Sequence, residues 1–250
     1  AGVLMRLYPA QRLYQLPMGV LAISLGVVIF PLLSRYAARD DRPAMAEAVN
    51  RALRLAVMEG LAAGVGLFML AGPILRLIFV RGRFTAADAG ESAFILRMYV
   101  LGLWAYCGQV ILTRAFYALK DVRTPLVLAS AMTVLSLAAV VALVWVPAVG
   151  AGAFGLATAA AAAVNVVLLT WLLRRRLGPF GGRRLAVSVL RSAAACGVMA
   201  GGIWLMRTHL LAGRPDWLIV AACVPAGAAV FLAAAAGMRA PALGEVFRRT

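Results

Sequence analysis

An uncharged run near the start of the chain limits the fold more than any other feature of the sequence. It extends from Leu16 to Leu33 and contains Pro17 and Pro31. About 18 to 20 apolar residues in a helix cross the hydrocarbon core of a bilayer. Each proline removes a backbone donor and frees a carbonyl one turn earlier, which lipid cannot satisfy. The run therefore predicts a spanning helix that is packed within a bundle.

Similar apolar runs recur along the whole chain, which is 64% hydrophobic and only 14% charged. This composition places the protein in the membrane class. We predict an all-α, polytopic transmembrane helix bundle with seven spans, namely Leu16–Leu33, Leu53–Phe79, Phe94–Leu119, Leu126–Val146, Ala153–Leu173, Leu185–Met206 and Trp217–Met238.

The basic residues follow the pattern of a membrane topology signal. The net charge is +16, but the arginines lie in short runs between apolar segments, which argues against a nucleic-acid partner. If the chain crosses the membrane seven times, seventeen Lys and Arg residues fall on one side and eight on the other. The larger group includes Arg239, Arg248 and Arg249 near the C-terminus. The positive-inside bias predicts a cytoplasmic C-terminus. The chain starts at Ala1 rather than Met, so we expect it to be a piece of a longer protein.

No cluster of side chains suggests a metal, a cofactor or covalent catalysis. Cys107, Cys196 and Cys223 lie in apolar runs and are predicted to be small core residues, and His209 is isolated in the sequence. We therefore predict that the protein is not an enzyme.

The polar residues inside the spans are the candidate functional residues. On a regular helix, Tyr8, Arg12, Gln15, Gly19 and Gly26 share one face. An arginine at membrane depth marks a binding site or a pathway, whereas an arginine at the interface snorkels to lipid phosphates. The position of Arg12 leaves both interpretations open.

Glu59 is the most deeply placed acid in the predicted spans. A bare carboxylate there is costly, so we expect it to be protonated or paired, with Arg114 as the candidate partner, or to take part in ion or proton coupling. Gln109 and Asn165 are predicted to form hydrogen bonds across helices.

Loop and packing signals accompany the spans. Thr85 and Asp88 predict a capping box, and Thr124 before Pro125 predicts an N-cap. Small residues four positions apart predict close helix contacts at Gly60 and Gly64 and at Gly197 and Gly201.

Several of these motifs resemble one family. The stretch from Tyr8 to Arg35, YPAQRLYQLPMGVLAISLGVVIFPLLSR, is similar to the eighth transmembrane helix of MurJ/MviN-type lipid II flippases. The resemblance continues through RGRF at 81–84, RAFYALKDVRTP at 114–125, Asn165 and LLRRRLG at 172–178. It covers essentially the whole chain in one collinear order. The resemblance implies helices eight to fourteen of a two-lobed, inner-membrane exporter fold whose first lobe is missing here.

The family resemblance also implies a substrate and a site. Its members move lipid II, a peptidoglycan precursor on undecaprenyl pyrophosphate, across the bacterial cytoplasmic membrane. Arg12 matches the family's cavity arginine, so Arg12 with Gln11 and Gln15 is the predicted substrate-binding set, although Gln11 stands where the family often has an acid. Residues 1–178 would form the lobe, and residues 179–250 would add two helices that bound a groove for the lipid tail.

Two alternatives remain open from the sequence. One is an exporter of another lipid-linked oligosaccharide or of a drug, which shares the fold but differs in the chemistry of the missing lobe. The other is a non-transporting accessory membrane protein.

Overall fold

The computed structural model describes residues 2–146, 150–178 and 181–238, and no strand occurs in those ranges. The α-helices there are α1 Gly2–Pro17, α2 Ser24–Ala38, α3 Arg42–Phe79, α4 Ala86–Val100, α5 Leu103–Ala118, α6 Arg123–Leu143, α7 Ala153–Leu177, α8 Gly182–Leu205 and α9 Asp216–Gly237. Two π-helical turns follow α1 and α8 at Met18–Ile23 and Met206–Leu210, and a 3₁₀ turn precedes α7 at Gly150–Gly152.

These helices account for the seven predicted crossings. Within the described ranges, five crossings have helices that are long and apolar enough by themselves, and two more are bent pairs, α1 with α2 and α4 with α5. The all-α, seven-span prediction is confirmed. The apolar runs did not predict the two bends, which are 40° and 44°.

The first bend lies at the π-helical turn between α1 and α2. Pro17 is the last residue of α1, whereas Pro31 lies inside an unbroken α2. Backbone bonds in a π-helix skip one more residue than those in an α-helix, so the turn shifts the register of everything beyond it. As a result Arg12 is exposed but Gly26 is buried, and the prediction that the two share a face is wrong.

The second bend lies at Leu101 and Gly102, between α4 and α5. A Cβ atom on Gly102 would lie 2.6 Å from the Cα atom of Ala159 on α7, closer than atoms can approach. Glycine thus allows the corner of the bent pair to rest directly on the backbone of α7.

The 38-residue α3 is the centre of the bundle and packs against α2, α4, α5, α8 and α9. Its close contacts use the predicted glycines, since a Cβ on Gly60 would lie 2.6 Å from the Cα of Trp104. Gly64 similarly faces the carbonyl of Val100. Gly197 and Gly201 have open space around them instead, so the predicted close contact of α8 is wrong within the described part of the chain.

The buried apolar side chains fall into clusters on different sides of α3. The largest joins α3 to α2, α5 and α7, and another joins α3 to α8 and α9. The second cluster attaches the last two helices to the rest of the bundle. Division of the chain at residue 178 stays a prediction, and Pro179 and Phe180 lie outside the described residues.

The loop predictions have mixed outcomes. The capping box is present, with the Thr85 and Asp88 side chains each accepting the other's backbone N–H at 3.3 and 3.0 Å. The N-cap prediction for Thr124 is wrong because α6 begins at Arg123, two residues before the predicted first helical residue, Pro125. The Asp121 carboxylate accepts the N–H of Thr124 instead, at 3.0 Å.

Ion pairs tie together residues that the seven-span topology places on the same side. Asp121 pairs with Arg176 at 2.7 Å on one side, and Arg76 pairs with Asp216 at 2.7 Å on the other. Partial burial opposes ionisation of Asp121, but hydrogen bonds from Thr124 and the charge of Arg176 outweigh it and lower the pKa of that carboxyl. The pairs fit the alternating path of the chain. Arg239, Arg248 and Arg249 lie outside the described residues.

Candidate functional site

Arg12 lies on the open face of α1. Its side chain is exposed, and its guanidinium carbon lies 5.1 Å from the centre of the Tyr8 ring, one turn earlier on the same helix. Gln15, one turn further on, is also exposed. Within the described residues no carboxylate is within ion-pair distance of Arg12. The cation is therefore available to an anion that approaches this face.

Gln11 contacts a different part of the bundle. Its amide nitrogen donates to the hydroxyl oxygen of Tyr99 on α4 at 3.3 Å. Successive helix positions are about 100° apart, so adjacent Gln11 and Arg12 side chains leave α1 in different directions. The three predicted substrate-binding residues are thus divided, with Arg12 and Gln15 on the open face and Gln11 toward α4.

Gln11 borders an open cavity of about 500 Å³ whose walls carry both apolar and polar groups. Its walls come from α1, α4, α5, α6 and α7, and most of its polar groups are uncharged, namely those of Tyr99, Tyr106, Gln109, Thr133, Ser136, Thr158 and Asn165. The Asn165 side-chain oxygen is buried without a hydrogen-bond partner. Gln109 and Asn165 thus share this cavity, and the Asn165 oxygen takes no part in the hydrogen bond predicted for that side chain.

Glu59 and Arg114 do not form the ion pair proposed from the sequence. One carboxylate oxygen of Glu59 is buried and has no hydrogen-bond partner. The guanidinium of Arg114 instead lies 5.8 Å from the centre of the Phe30 ring on α2. Their positions along the helices predicted that the two residues lie on the same side of the bundle. An ion pair also requires their side chains to point toward each other, which they do not.

Arg6 anchors α1 to α4, a role that its position in the sequence does not reveal. Its Nε donates to Asp88 at 2.9 Å and it also pairs with Glu91, so the start of α1 is tied to the start of α4. Hydrogen bonds from the Thr85 side chain and backbone, together with the Arg6 guanidinium, lower the pKa of Asp88 to about 2. The sequence shows that Arg6 and Asp88 carry opposite charges, but not that their side chains lie close together.

An apolar groove of about 440 Å³ runs between α3, α8 and α9. Its walls are methyl and methylene groups from residues such as Leu70, Met199, Ile203 and Phe231, and Pro17 at the end of α1 borders it as well. A surface of this chemistry suits a hydrocarbon chain.

Two arginines hold the helices around that groove. The guanidinium of Arg207, in the π-helical turn after α8, donates to the carbonyl of Met69 on α3 at 2.6 Å. Pro73 lacks the N–H that this carbonyl would otherwise accept. Arg76 on α3 forms two hydrogen bonds with Asp216 at the start of α9, at 2.9 and 2.7 Å. The last two helices are therefore fastened to α3 at one end of the groove.

No grouping of His, Cys, Asp and Glu among the described residues can hold a metal ion. The three cysteines are buried and unbonded, as predicted for core residues.

Comparison with known proteins gives consistent matches. A family model described as "Lipid II flippase MurJ" matches residues 1–219. Proteins named "Probable lipid II flippase MurJ" from Bdellovibrio bacteriovorus and Rhizobium meliloti are 32% identical over 176 residues and 30% identical over 218 residues, which are 70% and 87% of this chain. The matches cover only 33% and 39% of those relatives.

A solved structure, "Lipid II flippase MurJ, inward closed conformation", has the same fold. It aligns with a TM-score of 0.79 at 24% identity and covers 94% of this chain and 47% of its own. The chain therefore spans less than half the length of these relatives.

Proposed function

This chain belongs to the MurJ family of lipid II flippases, and from that premise we propose that it forms one lobe of a transporter for a polyprenyl-pyrophosphate-linked precursor of peptidoglycan. The substrate is lipid II or a closely similar lipid. A second lobe completes the transporter, and the C-terminus lies in the cytoplasm of a bacterial cell.

The observation that carries the proposal is the pairing of an open cationic face with an apolar groove on one lobe. Arg12 is exposed without a counter-charge, and a guanidinium can hold two phosphate oxygens at once. The groove along α3, α8 and α9 offers hydrocarbon walls of a kind that accepts an isoprenoid tail. A lipid with a pyrophosphate head and a long apolar tail satisfies both surfaces.

Transport by this lobe needs no covalent step. The tail stays in apolar surroundings, while Arg12 offsets the charge of the pyrophosphate as the head group crosses in a water-filled space between the lobes. Gln15 lies one turn from Arg12 and offers an amide to the same head group. The work of the protein is to hold the head group and to open alternately to each side.

A transporter for another lipid-linked oligosaccharide would use the same two surfaces. The open guanidinium favours a phosphate-bearing lipid over an uncharged drug. Arg12 and the groove contact only the pyrophosphate and the tail, which lipid II shares with other lipid-linked oligosaccharides. A transport assay in which lipid II competes with other polyprenyl-pyrophosphate sugars therefore decides between these two substrates.

The test is Arg12→Gln in the two-lobed protein reconstituted with lipid II. Loss of a charge-assisted hydrogen bond costs about 1.5–3 kcal/mol, so transport should fall about ten- to a hundredfold at limiting substrate. The assay measures how much lipid II becomes accessible on the far side of the vesicle. Arg83→Gln in the exposed outer loop makes the same change of charge and should leave the rate unchanged. Equal rates for all three proteins, at equal insertion, would remove Arg12 from the mechanism.

A further inference from the structure

We propose that Arg114 and the pocket beside it form a second binding site, for the phosphate group of a membrane lipid. The pocket has a volume of about 440 Å³ and lies between α5 and the π-helical turn that follows α1. The inference deepens the proposed function, because it rests on the substrate being a phosphate-bearing lipid. It assigns Arg114 a ligand in place of Glu59.

The position of Arg114 is fixed by neighbours that leave its charge unneutralised. Its stem crosses α2 at Gly26, where a Cβ atom would lie 3.7 Å from Arg114 Cγ and 3.8 Å from Nε. The Phe30 ring lies 5.8 Å away on the same helix. The side chain is half-buried, and no carboxylate in the described ranges is within ion-pair distance of it. A guanidinium held at this depth is costly unless an anion reaches it.

The groups around Arg114 suit a ligand with several acceptor oxygens. Gln109, Thr113 and Tyr117 line the same pocket from α5 and contribute an amide and two hydroxyls. These positions, 109, 113 and 117, are four residues apart, so they form one stripe along the helix. None of the residues that line the pocket is acidic. A guanidinium with neutral donors and no carboxylate is the donor set that binds phosphate.

The apolar part of the pocket suits a lipid rather than a free ion. Met18 and Ile23 from the π-helical turn form the wall opposite α5. Ile23 and Tyr117 are both exposed, so the pocket opens at the surface of the lobe. A phosphate with a hydrocarbon chain attached fills both the polar stripe and this wall.

The site is well separated from Arg12. Arg114 packs against Gly26, and at 1.5 Å per residue Gly26 lies roughly 20 Å along the bent helix from Arg12. Arg114 is four residues from the end of α5, on the side that the topology assigns to the cytoplasm. A lipid phosphate that enters from that side would therefore meet Arg114 before it reaches Arg12.

The test measures lipid binding to the purified two-lobed protein in detergent, so it does not depend on transport. A polyprenyl pyrophosphate, phosphatidylglycerol and uncharged diacylglycerol are the probes. Arg114→Gln should weaken binding of the phosphate lipids about ten- to a hundredfold, Arg114→Lys should weaken it less, and diacylglycerol binding should not change. Gln109→Leu should give a smaller loss in the same direction.

The control is Arg123→Gln, which removes an exposed arginine on the same side of the bundle and should leave binding unchanged. Arg114-dependent binding of the pyrophosphate alone identifies the precursor as the occupant, and equal dependence for phosphatidylglycerol identifies a bulk phospholipid. Unchanged binding of both lipids to the correctly folded Gln and Lys variants overturns the site. If wild-type protein does not transport lipid II but shows Arg114-dependent binding, the proposed function fails and the site stands.

Discussion

Pro17 and Pro73 both lie in spanning helices, yet the chain bends sharply at only one of them. At Pro17 α1 ends, a π-helical turn follows, and α2 continues at 40°. At Pro73 the long α3 continues without a break. The two prolines remove the same backbone donor, so the difference lies in their surroundings.

Burial and a replacement donor account for the unbroken helix. Pro73 is buried and α3 has neighbours on several sides, whereas Leu16 on α1, Val20 in the π-helical turn and Val27 on α2 are exposed. The carbonyl that Pro73 frees accepts a hydrogen bond from Arg207. In α3, neighbouring helices on several sides and the donor from Arg207 thus compensate for the N–H that Pro73 lacks.

The largest expected effect comes from removing that donor. Arg207→Met should lower the free energy of unfolding by about 1–3 kcal/mol, because it leaves the Met69 carbonyl unsatisfied in a partly buried helix. Thermal unfolding of the purified protein measures the loss. In a Pro73→Ala background the new amide supplies the hydrogen bond, so the same substitution should cost clearly less. Equal losses in both backgrounds would show that Arg207 acts elsewhere.

A smaller effect is expected at Pro17, which is only partly buried. Pro17→Ala should restore an amide donor and slow hydrogen exchange of the backbone from 18 to 23, with a change in stability below about 1 kcal/mol. Mass-spectrometric exchange measures this directly. Pro31→Ala, inside the unbroken α2, is the matched control and should leave exchange of that turn as it is. Unaltered exchange in the Pro17 variant would mean that the bend does not depend on the proline.

The smallest effect concerns stability at acid pH, and it comes from the ion pair between Arg6 on α1 and Asp88 on α4. The pKa of Asp88 is lowered to about 2, against about 3.9 in an unfolded chain, so the unfolded state binds more protons between these values. The stabilisation is complete above about pH 4 and is lost as the pH falls toward 2. Asp88→Asn should flatten this part of the unfolding curve. Asp40→Asn, at an exposed pair, should leave the curve unchanged.

The sequence predicted what depends on length and local chemistry. The seven spans follow from apolar runs, and the capping box follows from two side chains three residues apart. The bend at Gly102 was not predicted, because its cause is Ala159 on another helix.

The site was predictable to a lesser extent for the same physical reason. The sequence identified Arg12 as a candidate binding residue, either at membrane depth or at the interface, and the structure adds that it is exposed. It could not show that Arg114 lies on Phe30 rather than beside Glu59, because side-chain direction depends on several packed helices. The hydrogen bond from Arg207 to Met69 joins residues 138 positions apart. Its acceptor is a backbone carbonyl, which no pattern of side chains reveals.

Pro17 belongs to two features of the fold. It is the last residue of the helix that carries Arg12, and it also borders the apolar groove. In the transporter proposed above, this one residue would link the helix that offers Arg12 to the head group with the wall that receives the tail.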